Sequence, residues 1–212
     1  GQMLVSVAGV LGLGQPDLYF RPDEPGDLNV LNVQREGRVR PTVIALANAL
    51  REKNENNLVF AVGRHALDLY PPHYGFMVID RSPENLKDVI YACMQVSGSQ
   101  PHESSPGVAA CARELRQHLT PATIEQIGGL LRRLTQADSI DVKAWARAAE
   151  LAGYRVGLIF CNDLATAAHA ISQEQRMLGS FLSPKDALRE LIVYSVSEEY
   201  FAARRALGLN VA

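Results

Sequence analysis

The residues with the most chemical potential lie between Val62 and Leu69, a run that reads Val-Gly-Arg-His-Ala-Leu-Asp-Leu. Four-residue spacing on a helix puts Arg64 and Asp68 on one face, the arrangement by which a helix aims two ligands at one metal ion. The first of the two is an arginine, which carries only donors and stays protonated, so it repels a cation instead of ligating it. The plain reading is a solvated ion pair contributing about 0.3–0.5 kcal/mol, with His65 a packed or surface histidine on the neighbouring face. A second candidate is the cluster Gly9, Gly12 and Gly14, spaced G-x-x-G-x-G after an apolar run. Exposed N–H groups in such a loop can hold phosphate, but Gln15-Pro16 follows where a helix should open and no acidic residue stands where a ribose would need one. That cluster reads as a turn. No G-x-S-x-G occurs, and Ser97 and Ser99 lie in a polar linker, so a serine hydrolase is unsupported.

The elements that must position these residues follow from periodicity and punctuation. Leu4 to Val7, Leu18 to Phe20 and Leu28 to Val33 are short β-prone runs separated by turn chemistry, which predicts two or three strands of a small sheet. From Pro41, the recurrence of Val43, Ile44, Ala47 and Leu50 predicts a helix to about Lys53. Leu58, Ala61, Val62, His65 and Leu69 mark the face of a second helix that stops before Pro71 and Pro72. After an apolar stretch, Phe76 to Ile79, Ser82-Pro83-Glu84 opens a third helix reaching about Val96. Residues 97–107 (SGSQPHESSPG) form the one clear linker. Beyond it helices are predicted over Val108 to Leu119, Pro121 to Thr135 with Thr120 as cap, Val142 to Leu151, Leu164 to Met177, Pro184 to Val193, and Glu198 to Leu207 between Ser197 and Gly208.

Composition bounds the class. The 212 residues are 47% hydrophobic and 21% charged, ordinary globular usage, which excludes a disordered or collagen-like main state. At about 150 residues per domain this length predicts a single domain, or one with an appended helical piece. Gly1 and Gln2 precede Met3, as in a piece excised from a longer protein. The formal charge of -2 with no basic stripe argues against nucleic acid as a partner. The stretch Met3 to Gly14 is shorter than the roughly 20 residues that span a bilayer, so no membrane insertion is expected. Cys93, Cys111 and Cys161 are odd in number and far apart, which fits a reducing cytoplasm better than a disulfide framework.

The run from Pro16 to Leu69 resembles the core of zinc metallopeptidases of the CaaX prenyl endopeptidase type and their bacterial relatives. Asp17-Leu18-Tyr19-Phe20 and Asn29-Val30-Leu31-Asn32 stand for the family's two strands, and Pro41 to Leu50 for its first helix. Asn57 to Asp68 falls without a gap on the helix that carries "E-L-x-A-V-L-A-H-E-L-G-H". A later run, Glu150-Leu151-Ala152-Gly153-Tyr154-Arg155-Val156-Gly157, resembles the family's E-[FY]-x-A-D-R-x-G, keeping the Glu, the Arg and the Gly while Tyr154 replaces the Asp. The pattern, including Ser197 to Leu209, is also similar to regions attached to large bacterial tetratricopeptide-repeat proteins.

The resemblance implies an α+β, zincin-like fold with a small N-terminal sheet followed by a mostly helical body. It places Arg64 and Asp68 at the two histidine ligand positions, His65 at the general base and Glu150 at the third ligand. With arginine at a ligand position the implied zinc site is not built, and without a metal His65 has no activated water to act on. The expectation is a domain with no catalytic residues and no cofactor, a pseudoenzyme in which Arg64 supplies near Asp68 and Glu150 the positive charge that zinc would. Such a domain would serve as an interaction or structural module, its partner being another protein or other domains of the parent chain. An alternative is a zinc peptidase with altered ligands, His65, Asp68, His73 and Glu150. His102 and His118 are expected to face solvent, His169 to pack within an alanine-rich helix, and Tyr194, Tyr200 and Phe201 to serve core or contact.

Overall fold

The computed structural model describes residues 1–52, 54–70, 73–74, 82–99, 105–135, 141–173 and 182–209. The Pro71-Pro72 stop, the stretch Phe76 to Ile79, His102 and residues 174–177 at the expected end of one helix lie outside these. The fold is α+β, with a three-stranded sheet in the N-terminal part followed by helices. The chain divides into two compact units, Gly1–Val78 with Arg147–Ala212, and Ile79–Ala146.

In the first unit, helix α1 (Gln2–Val10) precedes the sheet. This corrects the expected strand at Leu4 to Val7. Leu4, Val7 and Ala8 recur at i, i+3 and i+4, and that helical period buries all three at once, whereas a strand would split them between two faces. Gly12, at φ +67°, ends the helix, with the Gly12 N–H donating to the Gly9 carbonyl at 3.1 Å and that of Leu13 to the Ala8 carbonyl at 2.8 Å. The glycine cluster is therefore a helix stop whose first amides are already bonded.

Strands β1 (Asp17–Arg21), β2 (Leu28–Arg35) and β3 (Arg38–Leu46) form the sheet in the order β1-β3-β2, with β3 parallel to β1 and antiparallel to β2. The β2–β3 hairpin closes on Glu36 and Gly37, both at positive φ, as a two-residue turn requires. β3 corrects the helix expected from Pro41. A central strand is covered on both faces, so its buried Thr42, Val43, Ile44 and Ala45 read as a continuous apolar run whose spacing can be mistaken for a helical one. Pro41 is tolerated because it lies one residue before pairing with β1 begins at Asp17 and Thr42. Only Ala47–Arg51 (α2) is helical, tied to the preceding turn through Ala47 N–H to Glu24 O and Asn48 N–H to Gly26 O, each 2.9 Å.

Helix α3 (Glu55–Ala66) continues into a 3-10 turn, Leu67–Leu69, as the apolar face predicted. Val62 and Ala66 join Leu4, Val7, Val30 and Val43 in a core between α1, α3 and the sheet. The first unit also holds Arg147 to Cys161 of α7 (Val142–Cys161), α8 (Leu164–Gln173), α9 (Pro184–Ser195) and α10 (Glu198–Ala206). Their core joins Phe60 of α3 to Tyr154, Leu158, Ile171, Leu191 and Tyr200, with Tyr194 and Phe201 packed against it. Ser183 and Ser197 cap α9 and α10 through the N–H groups of Asp186 and Tyr200, and Gly208 follows the last helix at φ +67°.

The second unit contains α4 (Pro83–Val96), α5 (Pro106–His118) and α6 (Pro121–Thr135). Ser82, Ser105 and Thr120 cap them. α4 and α5 meet at the buried Ala92, Val108 and Ala112, and Ser105 also donates to Asp88 at 2.9 Å. The 97–107 linker thus joins two helices of one unit. His118 is exposed beside Glu114 as expected, whereas His169 is exposed and not packed.

Candidate functional site

The two segments singled out for chemistry are about 90 residues apart in sequence and meet in the structure. α3 is started by Asn54, whose side chain accepts the Asn56 N–H at 3.0 Å, and α7 crosses it where glycines face each other. A Cβ built on Gly63 would lie 3.1 Å from the Gly157 Cα, and one on Gly157 would lie 2.8 Å from the Phe60 carbonyl oxygen. Two helix backbones can pass this closely only because both positions lack a side chain.

This crossing brings Arg64 onto Tyr154. The guanidinium carbon stands 4.5 Å from the centroid of the buried tyrosine ring, within cation–π range. The Tyr154 hydroxyl donates to Oε1 of Glu150, one turn back on α7, at 3.4 Å. Arg64, Tyr154 and Glu150 form one continuous contact, cation on ring and hydroxyl on carboxylate. Gly153 backs it, a Cβ there reaching ordinary contact with the Arg64 carbonyl oxygen at 3.4 Å.

Asp68 meets the histidine three residues before it. α3 tightens into the 3-10 turn after Ala66, where residues three apart eclipse, so Asp68 turns onto His65. Its Oδ2 lies 3.2 Å from His65 Nδ1, with the histidine side chain 9% and the aspartate 20% exposed. His73 stands beyond, its ring edge-on to Tyr70 at 5.9 Å. Burial lowers the His73 pKa below its usual value, partly opposed by the nearby Asp68 carboxylate. Among the described residues, no group of three or more His, Cys, Asp or Glu could hold a metal ion, and His65, Asp68, His73 and Glu150 do not make such a set. Among the described residues, the donors near Arg64 do not fit a zinc ion.

The motif's arginine faces away from the site. Arg155 lies over the Tyr194 ring at 4.8 Å and 3.9 Å from Glu190. The end of α7 is held by groups that sequence reasoning missed. Buried Arg204 donates through Nη1 to the Ile159 carbonyl, placing a cation at a helix C-terminus, and Tyr200 donates to the side chain of Asn162 at 2.6 Å. Asn162 adopts φ +51°, a left-handed helix end that asparagine tolerates, and this was the available signal. Asp163 then opens α8, its pKa lowered by bonds from Thr166 and Ala165, and accepts from Asn56 Nδ2 at 3.4 Å.

The chain matches no protein-family model, no curated protein and no solved structure. No helix among the described residues is long and apolar enough to cross a membrane.

Proposed function

We propose that the chain is a non-catalytic, metallopeptidase-like domain that serves as a protein-interaction or structural module within a larger bacterial protein or complex. The observation that carries this reading is the contact of Arg64 with Tyr154 and, through it, Glu150. The resemblance puts a metal ligand at position 64 and another at position 150. A guanidinium in that place brings a fixed positive charge to the same corner, and the tyrosine at 154 gives that charge a π face to lie on. His65, at the general-base position, is occupied by Asp68 and has no metal-bound water beside it on this reading.

The decisive test is zinc stoichiometry by elemental mass spectrometry, on protein purified without a metal-affinity step, with and without added zinc. Less than about a tenth of an equivalent is expected, together with lowered unfolding midpoints in Arg64→Ala, on the scale of about 0.5–2 kcal/mol for a desolvated cation–π pair. Near one equivalent, lost on Glu150→Gln or His65→Ala, would overturn the proposal in favour of a zinc peptidase with altered ligands.

A further inference from the structure

Helix α9 presents an apolar stripe to solvent on the side away from its core. Its inward face carries Ala187 and Leu191, both fully buried, with Tyr194 packed against the same core. Lys185, Arg189, Ile192 and Val196 recur at intervals of four, three and four residues, and Val193 follows one turn after Arg189, so the five share the opposite face. Ile192, Val193 and Val196 are 47%, 63% and 75% exposed. A surface helix ordinarily carries polar residues on its outward face, and contiguous exposed aliphatic side chains there mark a site of association. The charges along the stripe are ordered. Lys185 and Arg189 stand exposed at its start, while the neighbouring Asp186 accepts the Ser183 hydroxyl at 2.7 Å. Glu198 and Glu199 stand exposed just beyond its end. Glu198 reaches Arg205 only at 3.8 Å, with 93% of its side chain open to solvent.

We infer that this stripe is the contact between two copies of the chain, α9 of one lying antiparallel on α9 of the other about a twofold axis. The order of the charges selects the occupant. A surface that is basic at one end and acidic at the other is complemented by itself run in the opposite direction, and a twofold contact supplies that arrangement. In such a pair Val193 lies near the axis beside its own copy, and Ile192 meets Val196 of the second copy. Arg189 then comes to the end of the stripe where Glu198 and Glu199 of the second copy stand. Parallel pairing would set Lys185 and Arg189 against their own copies and is disfavoured by like-charge repulsion. Three aliphatic side chains per copy form a narrow contact beside the roughly 1,200–2,000 Å² of a standard interface, so the dimer is a weak one, with a Kd on the order of 100 µM.

The test is sedimentation equilibrium of the whole chain from about 10 µM to about 1 mM, a range that brackets the expected affinity. The weight-average mass is expected to rise from that of one copy toward twice that value. Val193→Glu, a change at an exposed position that sets like charges together at the axis, should leave the chain monomeric over this range with its unfolding midpoint unchanged. Arg189→Glu and Glu198→Lys should each weaken association by about tenfold or more, and the double variant should recover it, because the exchanged charges again face each other. The inference is overturned if the parent chain stays monomeric at about 1 mM, or if it forms assemblies larger than a dimer, since a twofold contact closes at two copies. It is equally overturned if Val193→Glu dimerises as the parent does, or if the double variant associates no better than the single ones. Its failure leaves the zinc result above untouched, because none of the stripe residues belongs to the α3–α7 crossing.

Discussion

Substituting alanine at Gly157 and, separately, at Gly153 tests whether the close passage of α3 and α7 builds the site. Both glycines lie in the interior of α7, so alanine adds the same helix-propensity gain at each, about 1 kcal/mol. At Gly153 the new methyl meets the Arg64 carbonyl oxygen at 3.4 Å and Cγ at 3.6 Å, ordinary contacts. The Gly153→Ala protein should therefore be unchanged or up to about 1 kcal/mol more stable. At Gly157 the methyl meets the Phe60 carbonyl oxygen at 2.8 Å and two of its ring carbons at 2.9 and 3.0 Å. Phe60 is 2% exposed and its carbonyl belongs to α3, so relief requires moving a helix or a packed ring. Overpacking of this kind costs about 1–3 kcal/mol, which leaves Gly157→Ala about 1–3 kcal/mol less stable than Gly153→Ala after the shared propensity gain cancels. Urea unfolding followed by far-UV circular dichroism measures the difference as a shift in midpoint at constant slope. Equal midpoints for the two variants would refute the account of the crossing, and with it the reason Arg64 reaches Tyr154.

Other outcomes follow from single features of the structure. Ser197→Ala removes the oxygen that accepts the Tyr200 N–H at 3.2 Å and should cost about 1 kcal/mol in chemical unfolding, with Ser197→Asp recovering most of it. His73 has its pKa lowered by burial, so the unfolded chain binds the proton more readily. The stability it contributes is present above pH about 6.5 and falls as the pH drops below that value, and His73→Gln should flatten the slope of unfolding midpoint against pH there. Burial also pushes the Cys161 thiol up to about 11, so a disulfide reagent at pH 8 should leave Cys161 unmodified in the native protein and modify it once denaturant is added. Rapid native labelling of Cys161 would show that the core around α7 and α10 opens readily.

Local signals in the sequence were enough for most helix ends. Ser82, Ser105, Thr120, Ser183 and Ser197 each stand before a helix with a side-chain oxygen on the N–H three residues on, a bond that depends only on nearby residues. Arg64, Glu150 and Tyr154 were singled out together only through the resemblance, and the structure brings the three side chains into contact. Tertiary packing decided the rest. Thr42 to Ala45 form a strand because β1 and β2 flank them on either side, a circumstance no local period records. The approach of Arg64 to Tyr154 depends on Gly63 and Gly157 facing each other across about 90 residues of chain, and only the fold brings two such absences of a side chain to one point.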